Sequence, residues 1–284
     1  MASSRDIKRR IKSVKNMQQI TKAMKMVSAA KLRKSTVDVV KVRPYLQKIE
    51  EVVAHLSQSE AEHPYMKARE VKKTGYLVLA SNRGLCGSFN SNVLRLAENH
   101  IKDNSHPVGL ITVGVKARDY FVRRGYKIDD QFNNTGDNPS YAQARELSSE
   151  IFRYFEEGQY DEVYVVYSYF RSAIMNTPKI KKILPIEPEQ FKETDQDKFF
   201  DFIFEPNAEA ILSVLIPQYI EISVYNALLE SKASEHGARM TSMSSATDNA
   251  IEMIESLTLS LNRARQAAIT KEISEIVGGA AALS

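Results

Sequence analysis

The sequence predicts an α/β protein with long helices, in which N- and C-terminal helices pair as an antiparallel coiled coil and a Rossmann-like α/β domain is inserted between them. Glycine is the first indication, because none precedes Gly75 and eight of the eleven lie between Gly75 and Gly158. Glycine disfavours long helices and favours turns. The second indication is a heptad repeat after residue 240, and the third is a difference in charge between the two terminal segments.

Residues 1–58 are predicted to form the first coiled-coil helix. Apolar residues recur there every three or four positions, which places them on one stripe of a helix. Pro44 lacks an N–H group and is expected to bend or interrupt this helix. The predicted stripe consists of Ile7, Ile11, Val14, Met17, Ile20, Met24 and Val27.

Residues 75–205 are predicted to form the central α/β domain, because strand and helix patterns alternate along them. Such alternation is typical of a mostly parallel, layered sheet. Residues 186–206, rich in proline and charge, are interpreted as a linker or hairpin. Strands are predicted at 75–80, 108–113, 126–132 and 162–169, with an edge strand at 179–185, and helices at 91–101, 116–124 and after 140.

Residues 208–284 are predicted to form the last helix, with a kink at Pro217. From Met240 the apolar repeat alternates between steps of three and four, which is typical of a coiled-coil seam. This helix is longer than the first one, so its small, apolar tip is expected to extend beyond the pair as a single helix. The predicted seam consists of Met240, Met243, Thr247, Ala250, Ile254, Leu257, Leu261, Ala264 and Ala268.

Charge favours pairing of the two terminal helices with each other. Residues 1–48 contain fourteen Lys and Arg against two Asp, whereas residues 208–284 contain five basic and nine acidic residues. A helix with an uncovered apolar stripe is unstable alone in water, so each could pair with a second chain or with the other. A strongly basic helix repels its own copy, which favours the second arrangement. An ordinary globular helical domain is the alternative.

The motifs indicate no chemistry of the chain's own. The loop at 81–90 carries Gly84 and Gly87 after a strand, but it lacks the glycine and lysine pattern that cradles phosphate. Cys86 has no nearby His to form a thiolate, and the five His residues lack metal-ligand spacing. The basic segment has no aromatic residue before Tyr45, which disfavours nucleic acid. No apolar run reaches the roughly 20 residues of a membrane span, so no direct membrane insertion is expected.

Three segments resemble the gamma subunit of F-type ATP synthases. ITKAMKMVSAAKL at 20–32 is similar to the start of that subunit, and residues 234–283 are similar to its last helix. The loop at 81–90 resembles the loop that follows its first strand. The residues that fit the family's C-terminal signature are Ile269, Thr270, Glu272, Glu275, Gly279 and Ala280. A single cysteine cannot form the regulatory switch of plastid relatives, so the resemblance is to bacterial members.

The resemblance implies a rotor shaft that couples proton-driven rotation of a membrane ring to ATP synthesis and hydrolysis on other subunits. It implies no catalytic residue and no cofactor in this chain. The implied partners are three alpha and three beta subunits, the epsilon subunit and the membrane c-ring, at the cytoplasmic side of the cell membrane as a peripheral component. Two other hypotheses stay open, a non-enzymatic coiled-coil scaffold with an α/β cap and a nucleotide-binding enzyme that uses the middle domain.

The family also suggests which residues contact partners. Basic residues of the first helix are expected to meet an acidic loop of the catalytic subunits, and Met24 is expected to face the same region. Exposed ion pairs of this kind contribute only about 0–1 kcal/mol each, so such contacts can form and break repeatedly. The basic candidates are Arg9, Arg10, Lys22, Lys25 and Arg33, and the candidates for a catch loop on those subunits are Arg83, Arg265, Gln266 and Thr270.

Overall fold

The fold class predicted from the sequence is confirmed. The computed structural model describes residues 4–56, 63–133, 135–187 and 207–283, with side chains described to residue 278. Helix α1 spans Ser4–Leu56 at one end of the chain. The predicted segment boundaries at 58 and 205, and most of the linker at 186–206, lie outside the described residues.

An α/β region follows α1 in sequence. Its strands form one sheet in the order β3-β2-β1-β4-β5, in which β5 is antiparallel and the other neighbours are parallel, as predicted. The last helix, α5, spans Ala208–Leu283. The elements between α1 and α5 are β1 (Thr74–Leu79), α2 (Phe89–Asp103), β2 (Val108–Val113), α3 (Val115–Val122), β3 (Asp130–Phe132), α4 (Tyr141–Glu156), β4 (Glu162–Phe170) and β5 (Asn176–Leu184).

Apolar side chains cover both faces of the sheet, which explains why β1 is buried along its whole length. One face packs against the end of α1, against α4 and against the first part of α5. The other face packs against α2 and α3. The Ser140 capping box fixes the start of α4, because Ser140 and Gln143 each bond the other's backbone N–H.

The chain divides into two compact units, and both long helices contribute to each. Unit 1 contains residues 1–28 and 240–284, and unit 2 contains residues 29–239. The division predicted from the sequence, at 1–58, 75–205 and 208–284, remains a prediction. Pro44 and Pro217 lie inside α1 and α5 respectively, so neither proline interrupts its helix.

The apolar stripe predicted for α1 is wrong at Met17, Ile20 and Val27. Met17, Ile20 and Val27 are 58%, 61% and 54% exposed, and Met24 is half-buried. The covered positions instead follow a heptad repeat that accepts polar residues and is interrupted once, at the exposed Lys25. They are Ile7, Val14, Thr21, Ser28, Ser35, Val42, Ile49 and Leu56 in one series, and Ile11, Gln18, Leu32, Val39, Leu46 and Val53 in the other.

Among the described residues, α5 is the single helix long and apolar enough to cross a bilayer by length and composition. Its most apolar 18-residue window has a mean hydropathy of 1.3, and 56% of that window is buried inside the protein. The core helix of a soluble protein passes the same test, so this window is weak evidence for a membrane span. It does show that α5 is more apolar than the inspection of single runs indicated.

Candidate functional site

In unit 1 the two helices pair in antiparallel register, and polar residues set that register. The Thr247 hydroxyl donates to the Thr21 hydroxyl at 2.9 Å, and both side chains are buried. One turn along, Lys25 Nζ donates to Ser244 Oγ at 2.9 Å. Residue numbers rise on one helix as they fall on the other, which is the predicted antiparallel arrangement.

The end of α5 extends beyond this pairing. Counting two heptads from the Thr21–Thr247 pair places Ile7 opposite Leu261, close to the start of α1 at Ser4. Every residue of α5 from Arg265 to Gly278 is exposed. The exposed residues include Ile269, Ile273 and Ile276. This stretch is therefore a single helix with apolar side chains that no other described residue covers.

The contact residues predicted on α1 lie mostly on its exposed surface. Arg10, Lys22 and Arg33 are exposed, the last of them in unit 2. Arg9 pairs with Asp6 at 3.0 Å, but its side chain is 77% exposed, so solvent screens that pair strongly. Lys25 keeps an exposed side chain while it bonds Ser244. The basic surface of unit 1 is therefore accessible to an acidic partner.

The predicted contact residues of α5 lie on the single-helix stretch. Arg265, Gln266 and Thr270 are all exposed and belong to unit 1. They start where the pairing with α1 ends, which leaves them open on all sides to a surrounding partner. The stretch has no net charge, and exposed apolar side chains lie between its four charged residues, which are Arg265, Lys271, Glu272 and Glu275.

Arg83 lies in unit 2, on the loop at 81–90 that follows β1. Its side chain is exposed, while its carbonyl accepts a hydrogen bond from the Ser81 hydroxyl at 2.5 Å. Leu85, next to Gly84, has a positive φ of 62° and is 63% exposed. A bulky residue held in the left-handed region is strained, and such strain often marks a binding surface.

The same loop does not offer a phosphate cradle. Ser81 and Asn90 bond each other, with Asn90 Oδ1 accepting from the Ser81 N–H at 3.0 Å. Ligands of open α/β sheets bind at the carboxyl ends of the parallel strands. Here the chain's own helix α5 occupies that edge, since Arg239 Nη2 donates to the Gly84 carbonyl at 3.3 Å. This arrangement disfavours the nucleotide-binding hypothesis.

The Arg239 side chain that reaches this edge also belongs to an ion network within α5. Glu235 lies between Lys232 at 3.0 Å and Arg239 at 2.8 Å, and all three side chains are nearly buried. Burial opposes the ionisation of Glu235, yet its pKa is lowered, because the two cations stabilise the carboxylate. The network is therefore ionised at neutral pH, with two cations sharing one carboxylate.

Helix α1 contacts the same edge through Arg43. Its Nη2 donates to the Phe170 carbonyl at 2.7 Å and to Glu230 Oε1 at 3.0 Å. Glu230 is 1% exposed, and burial raises its pKa despite the arginine beside it. In unit 2 this contact ties α1, β4 and α5 together.

Other titratable groups have no catalytic geometry. Cys86 is buried, which raises the pKa of its thiol and lowers its reactivity. His236 is 1% exposed, and neither ring nitrogen has a hydrogen-bond partner among the described residues. Over the described parts of the chain, no group of three or more His, Cys, Asp and Glu is placed to hold a metal ion.

Sequence reasoning missed the residues that join helices to sheet or to each other. Arg43, Glu230 and Arg239 look like ordinary solvated charges in the sequence, and no pattern reveals that Glu230 is buried or that the two arginines are partly covered. Thr21 could have been found, because it follows Ile7 and Val14 at steps of seven. Preference for apolar residues concealed that heptad position.

Comparisons with known proteins agree over the whole length. Residues 3–283 match the family described as ATP synthase. The ATP synthase gamma chains of Desulfitobacterium hafniense and Moorella thermoacetica are 52% and 51% identical to this chain, and each alignment covers all of both chains.

Solved structures also match. The central stalk and c-ring structure of the Tetrahymena thermophila mitochondrial ATP synthase contains a chain that is 28% identical, with a TM-score of 0.61 over 80% of this chain and 99% of that one. A chain of the Euglena gracilis mitochondrial ATP synthase, 22% identical, has a TM-score of 0.73 over 99% of this chain and 94% of its own, and supports the fold alone.

Proposed function

The chain belongs to the ATP synthase gamma-chain family, and we propose that it turns as the central shaft inside a head of three alpha and three beta subunits. Family membership makes it a non-catalytic rotor subunit of ATP synthase, and favours this function over a stand-alone scaffold with an α/β cap. The proposed partners at the other end are the epsilon subunit and the membrane c-ring. The proposed location is the cytoplasmic side of the cell membrane, as a peripheral part of the complex.

The exposed end of α5 is the observation that carries this proposal. Residues 265–278 form a single helix with apolar side chains and no net charge. Exposed apolar surface of this kind marks an interface. A thin helix without net charge forms few fixed ion pairs with its surroundings, so it can turn inside a mostly apolar sleeve. Such a sleeve is the partner that a ring of head subunits would provide.

The basic surface of the coiled coil supports a second set of contacts. Arg9, Arg10, Lys22, Lys25 and Arg33 with Met24 would face an acidic loop of the catalytic subunits, while Arg83, Arg265, Gln266 and Thr270 would contact a catch loop. Exposed charges attract over about 8 Å at physiological salt, so these contacts guide rather than fasten the shaft. Contacts of this strength permit rotation, which a tight interface would prevent.

Co-purification and truncation test the proposal. The chain carrying an affinity tag should co-purify with ATPase subunits from gently solubilised membranes, and alone it should hydrolyse no ATP. Deleting residues 265–284 should reduce the ATP hydrolysis of the reassembled complex several-fold without abolishing it, because the paired part of the shaft remains. Deleting residues 245–284 should abolish ATP-driven proton pumping, because that deletion removes the partner of α1 in unit 1.

A variant without any deletion separates the loss of apolar surface from the loss of length. Replacing Ile269, Ile273 and Ile276 by Gln keeps the helix but removes its apolar surface, and should reproduce most of the effect of deleting residues 265–284. Full activity of a complex whose shaft lacks residues 245–284 would contradict the proposal. Recovery of the chain without any ATPase subunit would favour the scaffold hypothesis instead.

A further inference from the structure

The strand β4 continues beyond its parallel partner, and α5 bonds the part that extends. Pairing of β1 with β4 reaches Val166. Two residues further on, the Ser168 N–H donates to the Ser231 hydroxyl at 3.3 Å, and the Ser234 hydroxyl donates to the Ser168 carbonyl at 3.2 Å. All three serines are buried. Two helix side chains therefore satisfy the backbone of one strand residue, as a neighbouring strand would.

The next turn of α5 touches the hairpin between β4 and β5. A Cβ atom at Gly237 would lie 2.8 Å from the Ala173 carbonyl oxygen, closer than real side chains approach backbone. Glycine is therefore required here by close packing of helix against hairpin. Two residues further along, Arg239 bonds the Gly84 carbonyl and closes the contact with the loop after β1. We call Ser231, Ser234, Gly237 and Arg239 the α5 joint.

The α5 joint lies at the end of the part of α5 that belongs to unit 2. Arg239 is the last residue of this unit, so the joint forms the final set of contacts before the helix leaves it. The earlier part of α5, from Leu212 to Leu228, contacts the sheet through apolar side chains. Apolar burial has no preferred direction, whereas hydrogen bonds weaken steeply when their angle changes. The joint therefore resists twisting of the helix against the sheet at the point where the apolar core ends.

We propose that the α5 joint passes torque between the α/β region and the long helix, and that its four residues position the shaft for coupling. This inference rests on the proposed rotor function. Every contact that defines the joint is made to a backbone atom of β4, of the hairpin or of the loop at 81–90. Backbone atoms cannot rotate away as the ends of side chains can, which suits a part that must transmit rotation without yielding.

The test uses the whole ATP synthase, reconstituted in lipid vesicles with variants of this chain. The double variant S231A/S234A removes both hydroxyls without adding volume, and G237A adds one methyl group against the Ala173 carbonyl. Protons pumped per ATP hydrolysed should fall at least about threefold. Loss of one hydrogen bond worth about 1 kcal/mol shifts the equilibrium between a held and a slipped helix by a factor of about five, and a slipped helix hydrolyses ATP without pumping. ATP hydrolysis should stay within about twofold of the unmodified complex, because the part of the chain that faces the head is unchanged.

The matched control is S213A/S245A, which changes two exposed serines of the same helix whose hydroxyls bond backbone carbonyls of α5 itself. It should pump protons like the unmodified complex. An unchanged ratio of protons to ATP in S231A/S234A and G237A, with a lowered melting temperature, would show that the joint only stabilises the fold and would overturn the inference. A parallel fall of hydrolysis and pumping would overturn it as well.

A third variant tests the inference if S231A/S234A and G237A fail to assemble into the ATP synthase. R239Q removes the charge but leaves Glu235 paired with Lys232, so the fold has less to lose. It should lower the ratio of protons to ATP, and R239K should restore part of it because lysine keeps the charge. A normal ratio in R239Q overturns the inference. If the unmodified chain neither assembles with ATPase subunits nor supports pumping, the rotor function itself is wrong, which separates the two failures.

Discussion

The two halves of α5 are alike in composition and opposite in surroundings. Ile216 and Ile220 are fully buried against the sheet of unit 2, whereas Ile273 and Ile276 in unit 1 are 56% and 72% exposed. One helix thus carries an anchor and an interface. An apolar stripe therefore predicts that its side chains become buried, but the neighbouring elements determine whether this chain or a partner buries them.

Replacing one isoleucine in each half of α5 should give the largest difference in unfolding free energy. Ile220→Ala should lower the free energy of unfolding by about 2–5 kcal/mol, because it removes a side chain from a packed core and leaves a cavity. Ile276→Ala should change it by less than about 0.5 kcal/mol, because that side chain has little to lose. Urea denaturation of the purified chain measures both values. Similar losses for the two variants would show that the halves do not differ as described.

Arg43→Met is expected to have the next largest effect, because it leaves the Glu230 carboxylate buried without its cation. Breaking such a pair costs about 3 kcal/mol of unfolding free energy. The double variant R43M/E230M should recover most of that loss, since no unpaired charge remains. Denaturation of the single and double variants at pH 7.5 provides the measurement. A double variant as unstable as R43M would mean that packing, rather than charge, is lost.

His236 should make the anchored half sensitive to mild acid. Burial lowers the pKa of His236 below its ordinary 6.5. The cations Lys232 and Arg239 lower this pKa as well, whereas the carboxylates of Glu235 and Asp137 raise it. The unfolded chain therefore binds a proton first as pH falls below about 6.5, and stability decreases from there downward through the folded-state pKa.

The variant H236Q should remove that part of the pH dependence. Between pH 7.5 and 5.5 the melting temperature should fall less in H236Q than in the natural chain, because one proton fewer is taken up on unfolding. The corresponding difference in unfolding free energy should grow by at most about 1.4 kcal/mol per pH unit, the value for uptake of one proton. Gln is the suitable replacement because it is polar and does not titrate. H106Q is the control, since His106 is exposed. Identical pH profiles for H236Q and the natural chain would contradict this account.

The smallest expected effect concerns the hydroxyl pair in unit 1. T21V/T247V replaces two bonded hydroxyls by methyl groups of the same shape, and should leave unfolding free energy within about 1 kcal/mol of the natural chain. A double-mutant cycle with the single variants should give a coupling of about 0.5–1 kcal/mol. Absence of any coupling would mean that the pair does not contribute to the register of the helices.

The elements of the α/β region could be predicted because their signals are local. The strand β2 begins and ends where the apolar run at 108–113 does, and α4 begins at Tyr141, as the helix predicted after residue 140 requires. The heptad seam of α5 is also largely confirmed, since Met243, Thr247 and Ala250 are buried. Ala268 is exposed instead, because the pairing with α1 has already ended there.

The buried stripe of α1 could not be predicted from hydrophobicity. Steps of three from Ile11 through Met17 to Ile20 move around the helix, whereas pairing over many turns demands an average step of 3.5. The structure keeps that step by covering Gln18, Thr21 and Ser28 and by leaving the apolar residues outside. Those exposed residues then become candidates for contact with a partner, beside the basic residues already predicted there.

Glycine content, apolar periodicity and net charge can be followed along the chain alone. They were sufficient to predict the class of fold, the alternation of strands and helices, and the pairing of the terminal helices. Which polar residues are buried, and where α5 meets the sheet, could be seen only in the folded protein. Ser231 and Glu230 are buried, and Arg239 is partly covered, because residues far away in sequence lie against them. A hydrogen bond or ion pair of this kind exists only once folding has brought both partners together and excluded water.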